Sequence, residues 1–336
     1  MRRAERAMTA PDPPLTGVEE KSAVRYSVVV PVYGNAETLG TVVERLIAMD
    51  EELGGGLEVV FVVDGSPDDS LAVLERLLPG CPISTQLITH SRNFGSFAAI
   101  RTGFRHSRGE FVAAMAADLQ EPADLVRDFF VALRGGHVDV TVGRRTKRQD
   151  PLLSSVLARV FWGLYRRMVH RAIPPGGVDI FGCTATVARQ LVALEESHSS
   201  LVGLLYWVGF RRLEVPYERQ ERTSGKSGWS SRRKFRYLLD SVYSFTDLPI
   251  TLLVAVGAVG SVLTVAISVV TVAARVAGLI TVPGYTALML VTLMSATSML
   301  LGLGVVGSYV WRTYENSKQR PLAIVMSREL HGPVGE

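Results

Sequence analysis

The 336-residue chain has little cysteine and histidine: two cysteines, Cys81 and Cys183, and six histidines. They form no CxxC, HxxxH or mixed Cys/His cluster, which argues against structural zinc and against a disulfide framework and suits a reducing compartment. Two nucleotide motifs are also missing. No GxGxxG follows the first apolar run, which removes the main warrant for a dinucleotide oxidoreductase. Ser224-Gly225-Lys226-Ser227 looks like the end of a phosphate loop, but Gln220 stands where that loop requires glycine and no apolar strand directly precedes it. Charge is absent from long stretches: residues 249–274 carry none, and after Arg275 none recurs until Arg312.

What is present fits those gaps. Hydrophobic residues make up 47% of the chain and mean hydropathy is positive, high for a wholly soluble protein, so a membrane part is expected. Each uncharged stretch exceeds the roughly 20 residues that cross a bilayer. Gly278, Pro283 and Gly284 break the second, which places spans at 249–274 and 285–310; a buried apolar helix pair is the alternative, disfavoured by the charge-free lengths. Arg232, Arg233, Lys234 and Arg236 precede the first span and Arg312, Lys318 and Arg320 follow the second, against Arg275 alone in the turn. The positive-inside rule then puts both ends in the cytoplasm. The net charge of +4 conceals basic crowding in 144–171 and 211–236, as on a surface beside a membrane. Residues 1–25 are polar, without the apolar centre of a signal peptide or a span, and read as a flexible tail.

Between tail and spans, short β-branched runs alternate with helical periods. YSVVVPV, LEVVFVV, ISTQLIT, EFVAAMAA and VDVTV read as strands. Leu39, Val42, Val43, Leu46 and Ile47, then Leu71, Leu74, Leu77 and Leu78, mark helix faces. Strands apolar on both faces, alternating with amphipathic helices, predict an α/β fold with a mostly parallel sheet covered on both sides. Ligands of such sheets bind beyond the strands' carboxyl ends. Those ends read Pro31-Val32-Tyr33-Gly34-Asn35, Asp64-Gly65-Ser66, Ser91-Arg92-Asn93 and Asp118-Leu119-Gln120, four polar groups on one edge.

MAADLQEP, residues 115–122, supports two readings. Asp118 and Gln120 offer oxygens to a hard divalent cation, which reaches proteins through one or two carboxylates plus substrate phosphates. Alternatively, Glu121-Pro122 simply starts a helix whose dipole favours nearby acids. Residues 151–172 form an apolar face with Arg159, Arg166, Arg167 and Arg171 elsewhere, and 231–248 repeats the theme. Both read as amphipathic helices lying at the membrane interface rather than against the core.

PVYGNAET, VVDGSPDDS, SRNFGSFAAIRTGF, GEFVAAMAADLQEP and PYERQERTSGKSGW, in this order and followed by two spans, resemble the family 2 glycosyltransferases that load sugars onto polyprenyl phosphates, the group of dolichyl-phosphate mannose synthase. The likeness covers about residues 26–321. It implies a GT-A-like catalytic domain over 26–230, a juxtamembrane helix over 231–248, the two-helix transmembrane hairpin and a cytoplasmic tail over 311–336. It further implies that Pro31, Tyr33 and Glu37 line a nucleotide, that Asp64 and Ser66 hold base and ribose with Arg92 and Asn93 beside them, and that Asp118 and Gln120 match the metal and diphosphate positions, for Mg²⁺ or Mn²⁺. Two positions depart from the family pattern: Ala116 replaces the first acid of Asp-x-Asp, and Val63 stands where many relatives carry an acid.

On the acceptor side, Asp179 matches an acid that faces the lipid phosphate, with Phe181 in place of the usual arginine. Arg144, Arg145, Arg222, Lys226 and Arg232 are the cations for that phosphate, and Asp118, Asp179 and Arg144 are the expected catalytic groups. The resemblance thus implies inverting transfer of one sugar from a nucleoside diphosphate donor to an undecaprenyl-type phosphate at the bacterial inner membrane. Catalytic domain and termini would be cytoplasmic; a homo-oligomer is expected, and no nucleic-acid partner. Two competitors are a catalytically impaired scaffold, prompted by Ala116, and a processive polysaccharide synthase. The latter should carry a Gln-x-x-Arg-Trp-like motif and more spans, and has neither.

Overall fold

A computed structural model describes residues 24–146, 172–174, 178–196, 199–218, 239–243, 246, 248–277 and 284–332. The interfacial helix expected over 151–172 (bar Ala172), most of the juxtamembrane helix, residues 1–23 of the N-terminal tail, and Arg222, Lys226 and Arg232 lie outside them.

Three strands follow the sequence pattern closely, β1 (Tyr26–Val32), β2 (Leu57–Val63) and β3 (Ser84–His90), and a fourth, β4 (Phe111–Ala114), takes up the first half of its apolar run. They lie side by side and parallel in the order β4-β1-β2-β3. Helices α1 (Leu39–Leu53), α2 (Ser70–Leu77), α3 (Ser96–His106) and α4 (Ala123–Arg134) connect or follow them. After β5 (Val140–Arg145) come β6 (Phe181–Thr184), α5 (Ala185–Ala193), α6 (Leu201–Trp207) and β7 (Arg212–Tyr217). Two long helices, α7 (Leu248–Val276) and α8 (Tyr285–Ser317), precede a last strand, β8 (Val325–His331). The completed sheet runs β7-β5-β6-β4-β1-β2-β3-β8. Among the described residues six strands point one way, and β6 and β8 run against them.

Side-chain alternation along a strand sorts residues to opposite faces, and here both faces are dry. Val28, Val30 and Val32 of β1 pack with Leu39 and Leu46 of α1 and Phe129 and Phe130 of α4. Val29 faces the other way, into Ala99 and Phe104 of α3, Leu191 of α5 and Leu205 of α6. Such full burial is worth roughly 1.5–3 kcal/mol per large side chain, enough to pin each strand's register.

Segment 325–331, read from sequence as part of a tail, instead pairs antiparallel with β3. Polar contacts secure it: Thr89 Oγ1 and Ser327 Oγ lie 2.6 Å apart, and Arg328 Nε donates to Gln86 Oε1 at 3.0 Å. Gln86 belongs to a buried network at the amino end of the sheet, where the fully buried Glu58 accepts from Ser27 Oγ, Gln86 Nε2 and both Nε and backbone N of Arg108. A carboxylate taken out of water is tolerable only with such saturation.

In α7 and α8 the burial logic reverses. Val262, Val270, Leu288, Met299 and Leu303 are all more than half exposed. Gly302 of α8 faces Leu253 of α7, a Cβ there reaching 3.4 Å from its nearest methyl. Among the described residues taken alone, no helix is long and apolar enough to cross a membrane. The continuous sequence 249–274 carries no charge. At the other end of α8, Arg312 donates to Asp240 at 2.7 Å and stacks over Tyr243 at 4.8 Å, tying the hairpin to the short helical turn at 239–243.

Candidate active site

Because β4, β1, β2 and β3 are parallel neighbours, their carboxyl ends open on one edge, and the four polar loops meet there. The loop after β1 is fixed through its amides. Tyr33 N donates to Asn35 Oδ1, Gly34 N to Ser66 Oγ, Asn35 N to Ser70 Oγ and Ala36 N to Asp68 Oδ2, at 2.8–3.2 Å. Every backbone donor in that turn is therefore satisfied by a side chain, two from the neighbouring β2 loop and one from the first residue of α2. Asp68 also accepts from the Ser66 and Ser70 hydroxyls. Burial opposes its charge, but the hydroxyls of Ser66 and Ser70 and the amides of Ala36 and Ser70 outweigh it and hold the carboxyl down at about 2. Tyr33 is left half exposed on this rigid turn, with Glu37 exposed and Pro31 partly covered.

The β2 and β3 loops are joined more deeply. Asp64 is buried, and its carboxylate accepts from His90 Nδ1 at 2.8 Å, Phe94 N at 2.8 Å and Gly95 N at 2.7 Å. Burial alone would raise its pKa; the His90 contact and the two amides reverse that, so it stays below the usual carboxylate range. Gly65 is required here twice over: its φ is +58°, and a Cβ would fall 2.5 Å from the Arg92 carbonyl carbon and the Asn93 nitrogen. Arg92 and Asn93 are consequently held close against the β2 loop while their side chains stay exposed.

The turn after β4 carries Asp118 and Gln120. Leu119 has φ +59°, a left-handed conformation uncommon for a non-glycine residue and concentrated at functional sites. Thr38 Oγ1 donates to Ala117 O at 2.7 Å from the start of α1, and Gln120 N to Asp118 Oδ1 at 3.3 Å. The helix-start reading of this stretch holds, since α4 begins directly after Pro122; Asp118 and Gln120 sit in the turn at the polar edge. Glu121, by contrast, is buried.

Behind that turn lies a second cluster. Arg145 pairs with Asp179, and Tyr217 Oη donates to the same carboxylate oxygen at 3.0 Å. Burial disfavours the Arg145 charge, but Asp179 and Tyr217 outweigh it and raise its pKa. Burial first, then the charges of Asp179 and Glu121, push the Tyr217 phenol well up, so it remains a donor. Strand alternation separates the two arginines: Arg145 shares its face with Gly143, whose missing side chain leaves room for Ile180 and Tyr217. Arg144 points the other way to Glu214, 3.3 Å distant and half exposed. The structure thus joins Asp179 to Arg145 rather than to Arg144. Asp68, His90 and Tyr217 escaped the sequence reading; the signal for Asp68 was its place two residues after Ser66, in an Asx-type turn.

These features place the chain in a known class. The sequence profile of Glycosyl transferase family 2 matches residues 27–193. A Bacillus subtilis (strain 168) protein named as a glycosyltransferase, CsbB, is 31% identical over 295 residues, covering 88% of this chain and 89% of that protein. The chain therefore belongs to glycosyl transferase family 2 and is a glycosyltransferase with a GT-A-like α/β fold. Its relatives include an undecaprenyl-phosphate 4-deoxy-4-formamido-L-arabinose transferase of Edwardsiella ictaluri, 28% identical and covering 88% and 91% of the two chains. Bactoprenol glucosyl transferase of Shigella phage SfX is 26% identical, covering 91% and 100%. Among solved structures, the mannosyltransferase PcManGT from Pyrobaculum calidifontis, in complex with GDP-Man and Mn²⁺, is 18% identical with a TM-score of 0.43, covering 84% of this chain and 87% of that one.

Proposed function

We propose that this enzyme transfers one sugar from a nucleoside diphosphate donor to a polyprenyl phosphate, with inversion, at the cytoplasmic face of a bacterial inner membrane. The observation that carries the reading is the union of the four-loop polar edge with a hairpin of exposed apolar helices in one chain. The names of the relatives supply the lipid phosphate as acceptor class. Tyr33, Ser66, Arg92 and Asn93 line the donor side, and Asp118 and Gln120 lie toward its diphosphate.

A phosphate monoester has its second pKa near 6, so the acceptor is largely dianionic at neutral pH and needs no strong base. Its oxygen forms the new bond to the anomeric carbon as the carbon–oxygen bond to the nucleoside diphosphate breaks, which inverts that centre. The work left to the protein is positioning and charge compensation. Arg145, oriented by Asp179 and Tyr217, is the described cation best placed for that work, with Arg222, Lys226 and Arg232 as further candidates from the basic loop. The donor set of Asp118 and Gln120 fits a Mg²⁺ or Mn²⁺ ion that shares its shell with phosphate and water, although no cluster of three acidic, histidine or cysteine side chains occurs among the described residues. Such an ion would neutralise charge on the departing diphosphate.

Exposed Trp311 and Tyr314 and the Lys318 ammonium, 4.3 Å from the Tyr314 ring, cluster at the end of α8. Aromatic and basic groups of this kind favour the headgroup region, which supports a membrane boundary there. A homo-oligomer is part of the same reading.

The test is direct: purified protein in detergent, undecaprenyl phosphate and a panel of nucleotide sugars, with mass spectrometry of the lipid. A glycosylated lipid from one donor supports the assignment; none from any donor sinks it. Ala116 favours one rival, the impaired scaffold. Ala116→Asp with donor binding measured with and without metal separates them, because a scaffold binds no donor in either form.

A further inference from the structure

We infer that His90 is a positioning residue for donor binding, acting through the 92–95 turn on Arg92. This rests on the nucleoside diphosphate reading above and extends it to a residue that touches no donor. The His90 ring is completely buried. Nδ1 lies 2.8 Å from Asp64 Oδ1, and Nε2 lies 2.9 Å from Thr102 Oγ1 of α3. With Asp64 as acceptor, Nδ1 carries a proton and donates it, and Nε2 meets the Thr102 hydroxyl, which can both donate and accept.

A line of contacts therefore runs from the core to the rim. Thr102 orients His90, and His90 holds Asp64. Asp64 takes the amides of Phe94 and Gly95 and so shapes the turn that opens α3. The Phe94 ring meets His90 edge-on, centroids 5.6 Å apart, and carries the Arg92 guanidinium 4.0 Å above it. Arg92 is exposed at the polar edge, beside Gly65 and the Ser66 loop. An apolar residue at position 90 would fill the space, yet leave Asp64 with one donor fewer and the turn less determined. Burying a polar ring is costly unless both nitrogens are matched, and here the matching fixes a single ring orientation. A turn ordered before the donor arrives spares the ordering cost at binding.

Asp64, closed to solvent and already accepting three hydrogen bonds, works in this scheme from beneath the donor. A defect in the line weakens ground state and transition state alike, so it raises donor KM and leaves kcat nearly unchanged.

The experiment uses the full chain in detergent, with UDP, GDP, CDP and ADP as calorimetric probes and donor kinetics alongside. For the diphosphate that wild type binds, His90→Leu is expected to weaken affinity on the order of 10-fold. His90→Asn, whose amide nitrogen replaces Nδ1 as donor to Asp64, restores most of it. If His90→Leu does not fold, His90→Asn and Thr102→Val carry the test, the latter expected about 3-fold weaker. The discriminating measurement is coupling: combined with Arg92→Ala, His90→Leu adds no more than about 2-fold to the single Arg92 effect. Multiplicative effects, or wild-type affinity in both His90→Leu and Thr102→Val, overturn the positioning role while leaving the function standing. Wild type that binds none of the four diphosphates overturns the donor reading itself.

Discussion

The polar edge and the helical hairpin solve opposite problems. At the edge, exposed backbone is made rigid by side chains: four amides of residues 33–36 and two of 94–95 end on Asn35, Ser66, Ser70, Asp68 and Asp64. In the hairpin the backbone satisfies itself, and large apolar side chains such as Val262 and Leu288 face outward. The first arrangement suits water and a charged ligand. The second is what the proposed membrane anchor requires, because in hydrocarbon only internally bonded backbone is stable. The proposed function asks one chain to hold both.

Substitutions can break that contrast at either pole. The largest effect is expected at Asp118: Asp118→Asn should lower lipid glycosylation at least about 100-fold while circular dichroism stays unchanged. Next is Val262→Lys on α7, 69% exposed. In lipid it costs roughly 2.5–3.5 kcal/mol and lowers the membrane-inserted yield; wild-type yield would mean that the helix faces water. The two arginines of β5 then separate. Arg145→Lys removes the contacts to Asp179 and Tyr217, with an expected loss of about 10-fold in kcat/KM, whereas Arg144→Lys, paired among the described residues with exposed Glu214, changes it less than about 2-fold.

Smaller still is Asp68→Asn, expected to raise donor KM about 5-fold with kcat steady. Its pH counterpart has a definite sign. The folded carboxyl sits at about 2, below the roughly 3.9 of an unfolded aspartate, so its contribution is fully present above about 4 and fades as pH falls through the folded value. Amide exchange at Gly34 and Ala36, corrected for intrinsic rates, should therefore hold flat from pH 7 to 4. Loss of protection already at pH 5 would contradict the network.

Much of the first half was legible because its signals are local. Runs such as VVV and VVFVV need two dry faces wherever they occur, and β1 and β2 appear at the residues the pattern marked. β4 stops at Ala114, sooner than the apolar run suggests, because the chain must leave the sheet to form the Asp118 turn. β8 was not legible: VMSRELH is mostly exposed and mixed in polarity, and its strand character comes from β3, more than 200 residues away. His90 was hidden at shorter range, because its partners Asp64 and Thr102, 26 and 12 residues away, lie outside β3.

By itself, the amino-acid order determined the family motifs, the α/β alternation, the long charge-free stretches and the gathering of four loop ends on one edge, since hydrophobic periodicity and parallel connection are properties of neighbours along the chain. Tertiary packing alone decided which arginine meets Asp179, what Asp64 binds, and where the last strand goes. Those outcomes depend on strand facing and on contacts between distant segments, for which no local pattern carries a code.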